Sequence, residues 1–383
     1  MIVAVNTVSG RLENFLAAAE LATPVLILDP AAARQRYADF VAAFPQATVH
    51  FAVKACPEPA VLRTLRDMGA SFDVAGPDEI RCALDAGATP SALCYGNPIR
   101  SPKDVAGAHR AGVTRFVTDS AEDLAVLADN AAGARVLVRL LVSDDGAATP
   151  FAGKFGSAPD EAVRLLWMAA AAGLTAEGVA FHVGSQQTRP LAFAEAARQA
   201  LGVAGAAGLR RPVLDVGGGF PVPYRLPVPE LPAFATAVDD AVDTAVRTGV
   251  IDGVELMLEP GRAVVAEAGV LRARVVRVSR RLGVDHRRWV YLDVGRYSGL
   301  AETEGEAITY PVRAPGRTGP YGPVVLAGPT CDGDDVLYRS TPYALPLTLR
   351  AGDIVDLLAT GAYTASYSSI GFNGVPPLAV HVL

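Results

Sequence analysis

The chain has 383 residues, of which 51% are hydrophobic and 19% charged, with 37 glycines, 28 prolines and a formal net charge of −6. That length predicts two domains or one barrel with an appendage, the composition excludes disordered and fibrous classes, and the negative balance leaves no basic footprint for nucleic acid or anionic membrane. The first twenty residues lack a cationic stretch followed by an apolar one, no segment approaches a membrane span, and Cys56, Cys82, Cys94 and Cys331 have neither disulfide nor metal spacing, so a cytoplasmic protein without a metal site is expected.

In chain order, short apolar runs alternate with amphipathic, alanine-rich segments from Pro24 to about Glu259. Strands are expected at 25–28, 49–53, 71–74, 93–95, 115–118, 136–141, 178–183, 213–216 and 256–259, and helices over 31–43, 59–67, 78–86, 121–130, 160–172, 192–207 and 231–247. Strand then helix, repeated about eight times, predicts an α/β fold, a (β/α)8 TIM barrel over residues 24–265, with one N-terminal element surplus to eight. After Gly269 the texture becomes valine- and arginine-rich with β alternation, at 270–278, 289–292, 324–326 and 353–358. This predicts an all-β domain, a sandwich or small barrel, over 266–383. Residues 1–23 are expected to complete it, since 1–5 is also strand-like.

Active-site residues of such barrels come from the C-terminal ends of the strands. Lys54, Asp73, Asn97, Asp119, Arg139, His182, the triplet Gly217, Gly218, Gly219, and Glu259 all fall at or near those ends. Each alone reads equally as a turn or cap residue; together they predict one shared pocket. Lys54 closes the apolar run His50-Phe51-Ala52-Val53, where partial desolvation lowers an amine's pKa and frees its lone pair for a Schiff base. The glycine triplet lets backbone N–H groups approach an oxyanion closely, with Arg262 and Ser185 as further phosphate partners. Glu259 ends another apolar strand, which is costly unless it faces a cation such as a protonated pyridine nitrogen. His182 is suited to stack on a ring face, its plain alternative being a buried histidine satisfied by backbone. An amine, an imidazole, a phosphate cradle and a carboxylate beside a guanidinium suit pyridoxal 5'-phosphate.

On these motifs the chain resembles the alanine-racemase-like (fold type III) pyridoxal-phosphate decarboxylases, which include ornithine, lysine and diaminopimelate decarboxylases, over nearly its whole length. The resemblance implies that Lys54 forms the internal aldimine, that His182 and Ser185 stack on the ring and bind phosphate, and that the glycine triplet, Gly261 and Arg262 form the phosphate site. It implies Glu259 on the pyridine nitrogen, stabilising a quinonoid, with Asp73 and Arg139 in support. Gly328-Pro329-Thr330-Cys331-Asp332-Gly333 resembles the family's cross-subunit catalytic segment. Cys331 would protonate Cα, and Asp332 and Tyr297 would contact substrate. Gly361-Ala362-Tyr363-Thr364 resembles the strand whose tyrosine touches phosphate. A cytoplasmic homodimer with shared sites is implied.

Cys331-Asp332 resembles the ornithine-type signature and suits a distal ammonium, which points to decarboxylation of L-ornithine or L-lysine to a diamine and to polyamine biosynthesis. The family's second acid falls by register on Val294, with Asp293 one step away and facing the opposite side of a strand. Glu302, Glu304 and Asp334 are alternative acids. Diaminopimelate, or an unusual or D-configured diamino acid, remains open as substrate. A racemase of the same fold resembles this chain at the lysine but sets an arginine against the ring nitrogen, and a non-catalytic relative would lack Lys54 or Cys331.

Overall fold

The computed structural model describes residues 8–151 and 153–383, so the strand-like 1–5 segment lies outside the described residues. The chain divides into two compact units, one of residues 34–221 and 228–263, the other of residues up to Ala33, 222–227 and 264–383.

Helix α1 (Gly10–Ala18) and strand β1 (Val25–Leu28) come first and belong to the second of these units. Strands β2 (Ala47–Ala52), β3 (Ser71–Val74), β4 (Leu93–Tyr95), β5 (Arg115–Thr118), β6 (Arg135–Arg139), β7 (Thr175–Ala180), β8 (Val213–Asp215) and β9 (Glu255–Leu258) then close a parallel barrel in sequence order. The intervening helices are α2 (Pro30–Ala43), α3 (Pro59–Asp67), α4 (Pro77–Asp85), α5 (Pro102–Arg110), α6 (Ala121–Asn130), α7 (Pro159–Ala171), α8 (Pro190–Ala206) and α9 (Leu231–Arg247). Proline occupies the first turn of α3, α4, α5, α7, α8 and α9, where its missing N–H is not needed and its fixed φ starts the helix.

Alternation along the strands gives the barrel interior three levels. At the N-terminal end, Arg115 pairs with Glu177 at 2.7 Å and Glu255 at 3.2 Å, and Arg135 pairs with Glu177 at 3.0 Å. Above this network Cys94, Val117, Leu137, Ala180, Val213 and Met257 pack as one apolar cluster. The side chains at the C-terminal strand ends form the third level, described below.

The expected strands 136–141 and 178–183 overrun the barrel. The β6–β7 ladder ends at Arg139 and Ala180, where the Leu140 N–H donates to the Ala180 carbonyl at 2.8 Å and Leu140 bridges Ser157. His182 therefore sits in the loop beyond β7 rather than on the strand. Helix α5 has no counterpart among the expected helices.

The second unit is built on an eight-stranded sheet, as expected, with α1 added to it. Beyond the short helix α10 (Arg262–Val265), its strands are β10 (Gly269–Arg281), β11 (Asp285–Leu292), β12 (Val312–Arg313), β13 (Tyr321–Ala327), β14 (Val336–Pro346), β15 (Ile354–Leu358) and β16 (Ala379–Val382). β1, counted with the barrel in the sequence, pairs instead with β10 and β16. The amphipathic α1 lays Leu12 and Leu16 against Val25, Ile27, Val270 and Leu358. A buried ion pair pins the same region: Arg272 reaches Asp356 at 2.8 Å and donates to the Leu16 carbonyl at 2.7 Å. Removing one partner of such a pair leaves the other charged and desolvated. Asp356→Ala should cost about 3 kcal/mol of unfolding free energy, read from urea titration; a loss comparable to a surface substitution would show that the pair does not hold this unit together.

Candidate active site

Lys54 does not lie on β2 itself but on the short 3-10 turn 53–55 directly after it. Its Nζ donates to Asp73 Oδ2 on β3 at 2.7 Å, and Asp73 is almost fully buried. The carboxylate of Asp73 therefore spends its buried charge on the lysine rather than on a turn. Glycine at position 96, just after β4, makes room for this: a Cβ there would lie 2.2 Å from Asp73 Oδ1 and 3.5 Å from Glu259 Oε1. Lys54, Asp73 and Glu259 thus meet around one glycine.

Glu259, at the end of β9, is half-buried, and its Oε1, itself buried, accepts from no N–H or O–H donor among the described residues. Beside it Asp215, the last residue of β8, accepts from the Gly217 N–H at 2.9 Å through Oδ1, and its side chain shares a hydrogen bond with that of Glu259. Burial pushes the Glu259 carboxyl well above the usual carboxylate range, with Asp215 and Asp73 adding to the effect; burial likewise lifts Asp215 to about 7. The two carboxyls hold a proton between them when nothing cationic is near.

The glycine triplet wraps the same corner. The Glu259 N–H donates to the Gly217 carbonyl at 2.8 Å. A Cβ on Gly218 would lie 2.6 Å from the Glu259 carbonyl oxygen, and one on Gly219 would lie 2.2 Å from the Gly184 carbonyl oxygen and 3.3 Å from His182 Cε1. Gly217 and Gly219 have φ of 65° and 92°, so any side chain there is both strained and obstructed.

His182 is held neutral. Burial, with the positive charges of Arg139 and Lys54, lowers it well below the usual imidazole range. Its Nδ1 accepts from the Gly184 N–H at 3.0 Å, which puts the ring proton on Nε2. Phe151 meets the ring edge to face at 4.7 Å, and the Arg139 guanidinium lies over Phe151 and Phe155. Ser185, in the same loop, exchanges backbone hydrogen bonds with Thr149. Gly261 and Arg262 are buried at the start of α10, directly after Glu259 and Pro260.

Asn97 and Asp119 serve the backbone: Asn97 donates to the Ala75 and Ile99 carbonyls, and Asp119 accepts from the Gly156 N–H. Three site residues escaped the sequence reading. Asp215 had the same signal as Glu259, an acid ending an apolar strand. Gly96 had only its place at a strand end. Glu79, in the first turn of α4, accepts from the Ala75 N–H at 2.7 Å and is lifted by burial within the field of Asp73 and Lys54; acids in a first helical turn are too common to stand out.

Cys331, Asp332, Tyr297 and Tyr363 belong to the sheet-containing unit. Asp332 Oδ1 accepts from the Asp334 N–H at 2.8 Å, and Tyr297 hydrogen-bonds to the same carboxylate. Partial burial, followed by that negative charge, raises the Tyr297 hydroxyl, which stays a donor. The loop that carries them is tied by the buried Asp335, which accepts from the N–H groups of Arg296 at 2.9 Å and Thr330 at 3.0 Å and from the Thr330 hydroxyl at 2.7 Å. Tyr363 lies in a turn after β15, not in a strand. Ala359 and Tyr363 both have positive φ, of 57° and 55°, and Thr364 donates to the Thr360 carbonyl to close the bend.

A buried, unpartnered carboxylate oxygen facing a lysine, beside a glycine cradle, suits a ring with a protonated nitrogen and a phosphate. Residues 31–266 match the family described as pyridoxal-dependent decarboxylase, pyridoxal binding domain. The chain belongs to this decarboxylase family. The decarboxylase is 34% identical to a lysine/ornithine decarboxylase of Selenomonas ruminantium over 93% of this chain and 88% of the relative. It is 36% identical to a diaminopimelate decarboxylase of Actinosynnema pretiosum subsp. auranticum, over 92% and 83%. Among solved structures it is similar to SrLDC in complex with PLP and cadaverine, with TM-score 0.86 and 32% identity, covering 99% of this chain and 95% of that one. The decarboxylase is a pyridoxal-phosphate-dependent amino-acid decarboxylase. Among its described residues no helix is long and apolar enough to cross a membrane.

An acid whose pKa is higher folded than unfolded binds its proton more tightly when folded, so Asp215 erodes stability as pH climbs from the ordinary carboxylate range toward about 7. The cofactor-free Asp215→Asn protein should therefore lose less stability than the unaltered protein across that window, measured as urea midpoints against pH; parallel curves would count against the shared proton. Separately, Gly96→Ala should weaken cofactor retention about tenfold, since its methyl pushes Asp73 off Lys54 and a charge-assisted hydrogen bond is worth roughly 1.5 kcal/mol. Equilibrium dialysis against pyridoxal phosphate measures it, and unchanged retention would refute the crowding argument.

Proposed function

We propose that the decarboxylase removes the α-carboxylate of L-ornithine or L-lysine to give a diamine. The observation that carries this reading is the Asp332 carboxylate, held by the Asp334 N–H and the Tyr297 hydroxyl and without a Lys or Arg partner among the described residues. Such an anion suits a distal ammonium.

In this reading Lys54 tethers the cofactor and yields to the substrate amine, while Asp73 steadies its charge at 2.7 Å. Glu259 would accept the ring N–H through Oε1, and the acid pair it forms with Asp215 would release its shared proton to solvent. The N–H groups of Gly217, Gly218 and Gly219, with Arg262, Gly261 and Ser185, would hold the phosphate. His182, neutral and fixed through Nδ1, would stack on the ring face, with Arg139 in support. Pyridoxal phosphate, when bound, supplies the electron sink for the pair released as the Cα–carboxylate bond breaks. Cys331 of a neighbouring chain delivers the proton to Cα, so the working enzyme is a homodimer. We extend the reading to polyamine formation in the cytoplasm.

A second substrate is favoured by one observation. A cavity of about 330 Å3 is lined by Arg296, Tyr297, Glu304, Asp334, Tyr367 and Ser369 among others. Its guanidinium suits a distal carboxylate, and one similar protein is named a diaminopimelate decarboxylase. Carbon dioxide release from L-ornithine, L-lysine, their D-isomers and meso-diaminopimelate discriminates. Release from ornithine or lysine, abolished with the visible cofactor band in Lys54→Ala, is expected; release from diaminopimelate alone moves the assignment to the second reading, and D/L interconversion without release refutes decarboxylation.

A further inference from the structure

One turn of the sheet-containing unit touches both substrate-side groups. The Ser369 N–H donates to the Tyr297 carbonyl at 3.0 Å, and the Phe372 ring lies 4.6 Å from the Tyr297 ring. The next residue, Asn373, turns its amide onto Cys331: Nδ2 lies 3.4 Å from Sγ and Oδ1 lies 3.8 Å from it. Asn373 has φ 52° and ψ 23°, with Gly371 at φ 75° and Gly374 at φ 71° on either side. Asparagine is among the few residues with a side chain that hold this left-handed conformation at little cost. The turn thus presents an amide where most other side chains would strain it.

An amide carries a donor and an acceptor without a charge. Its carbonyl accepts from a thiol, and its NH2 donates to a thiolate, so it serves the sulfur on both sides of a proton transfer. Cys331 is exposed, where water competes for the sulfur and an untethered thiol samples several rotamers.

We propose that Asn373 is a positioning residue for Cys331, holding the sulfur through loss and recovery of its proton. The inference rests on the reading of Cys331 as proton donor. In that step the S–H bond breaks, a C–H bond forms at the substrate α-carbon, and the electron pair stays on sulfur; Nδ2–H meets the thiolate until solvent returns a proton.

Two variants separate the amide from the turn. Asn373→Gly keeps the left-handed backbone and removes only the side chain, and Asn373→Asp keeps the shape but replaces the donor with an anionic oxygen. Alkylation of Cys331 by iodoacetamide at neutral pH, followed on its own peptide by mass spectrometry, should slow about fivefold in N373G and further in N373D, the scale of one lost hydrogen bond. In the holoenzyme both variants should divert product from diamine to aldehyde and pyridoxamine phosphate, the mark of a misdirected proton. An alkylation rate in N373G equal to or above that of the unaltered enzyme overturns the proposal. If Cys331→Ala leaves the diamine fraction unchanged, the proton-donor reading fails instead, and the alkylation rates tell the two failures apart.

Discussion

Buried negative charge at the barrel mouth is the constraint to which the rest of the site answers. Asp73, Asp215 and Glu259 crowd together at the ends of β3, β8 and β9, and Lys54 answers Asp73 directly. The remaining two carboxyls face desolvation and each other, so they keep a proton that solvent-exposed acids would release. A cationic ring nitrogen placed at Glu259 Oε1 reverses that balance, because it makes the ionised form the cheaper one. In the proposed reading cofactor binding and proton release are one linked equilibrium, in which a protonated pyridine displaces the proton that the acid pair holds.

The barrel keeps this arrangement separate from its other charges. Arg115, Arg135, Glu177 and Glu255 neutralise one another at the N-terminal ends of the strands, and the apolar level around Leu137 and Met257 stands between. His50 in β2 is pushed down to about 4, chiefly by burial, and stays neutral, so it adds no charge to the interior. Stability chemistry occupies one end and cofactor chemistry the other, as the geometry of parallel barrels allows.

Much of this was legible in the sequence because the signals were local. The strand periods at 71–74, 93–95 and 115–118 coincide with β3, β4 and β5, and proline at helix first turns marks most helix starts. Lys54, Glu259 and the glycine triplet announced themselves as polar or bare residues interrupting apolar strands. What stayed hidden depends on tertiary pairing. β1 has the same apolar pattern as a barrel strand, and only its partners β10 and β16 assign it to the sheet. The ends of β6 and β7 are cut short by a bridge from Leu140 to Ser157, which no hydrophobic period encodes. Tyr363 reads as strand until the positive φ of Ala359 and its own break the run.

The same distinction bears on selectivity at Asp332. The segment after β11 offers acid and valine in adjacent positions, and the structure settles which is available. Asp293 turns back to the sheet, its Oδ1 accepting from the Arg274 N–H at 2.8 Å, while Val294 is fully buried in the core. Neither is free to meet a ligand. Glu304 is largely exposed and lies 3.6 Å from Arg296, so its charge is partly answered already. In the proposed reading a single held carboxylate then carries the preference for a distal ammonium. One charge-assisted contact fixes the sign of the group it meets far better than its distance along a flexible chain, because a longer substrate can fold to reach the same oxygen. On that reading, discrimination between diamino acids of neighbouring lengths comes from the shape of the space around Asp332 and Tyr297, not from a second charge.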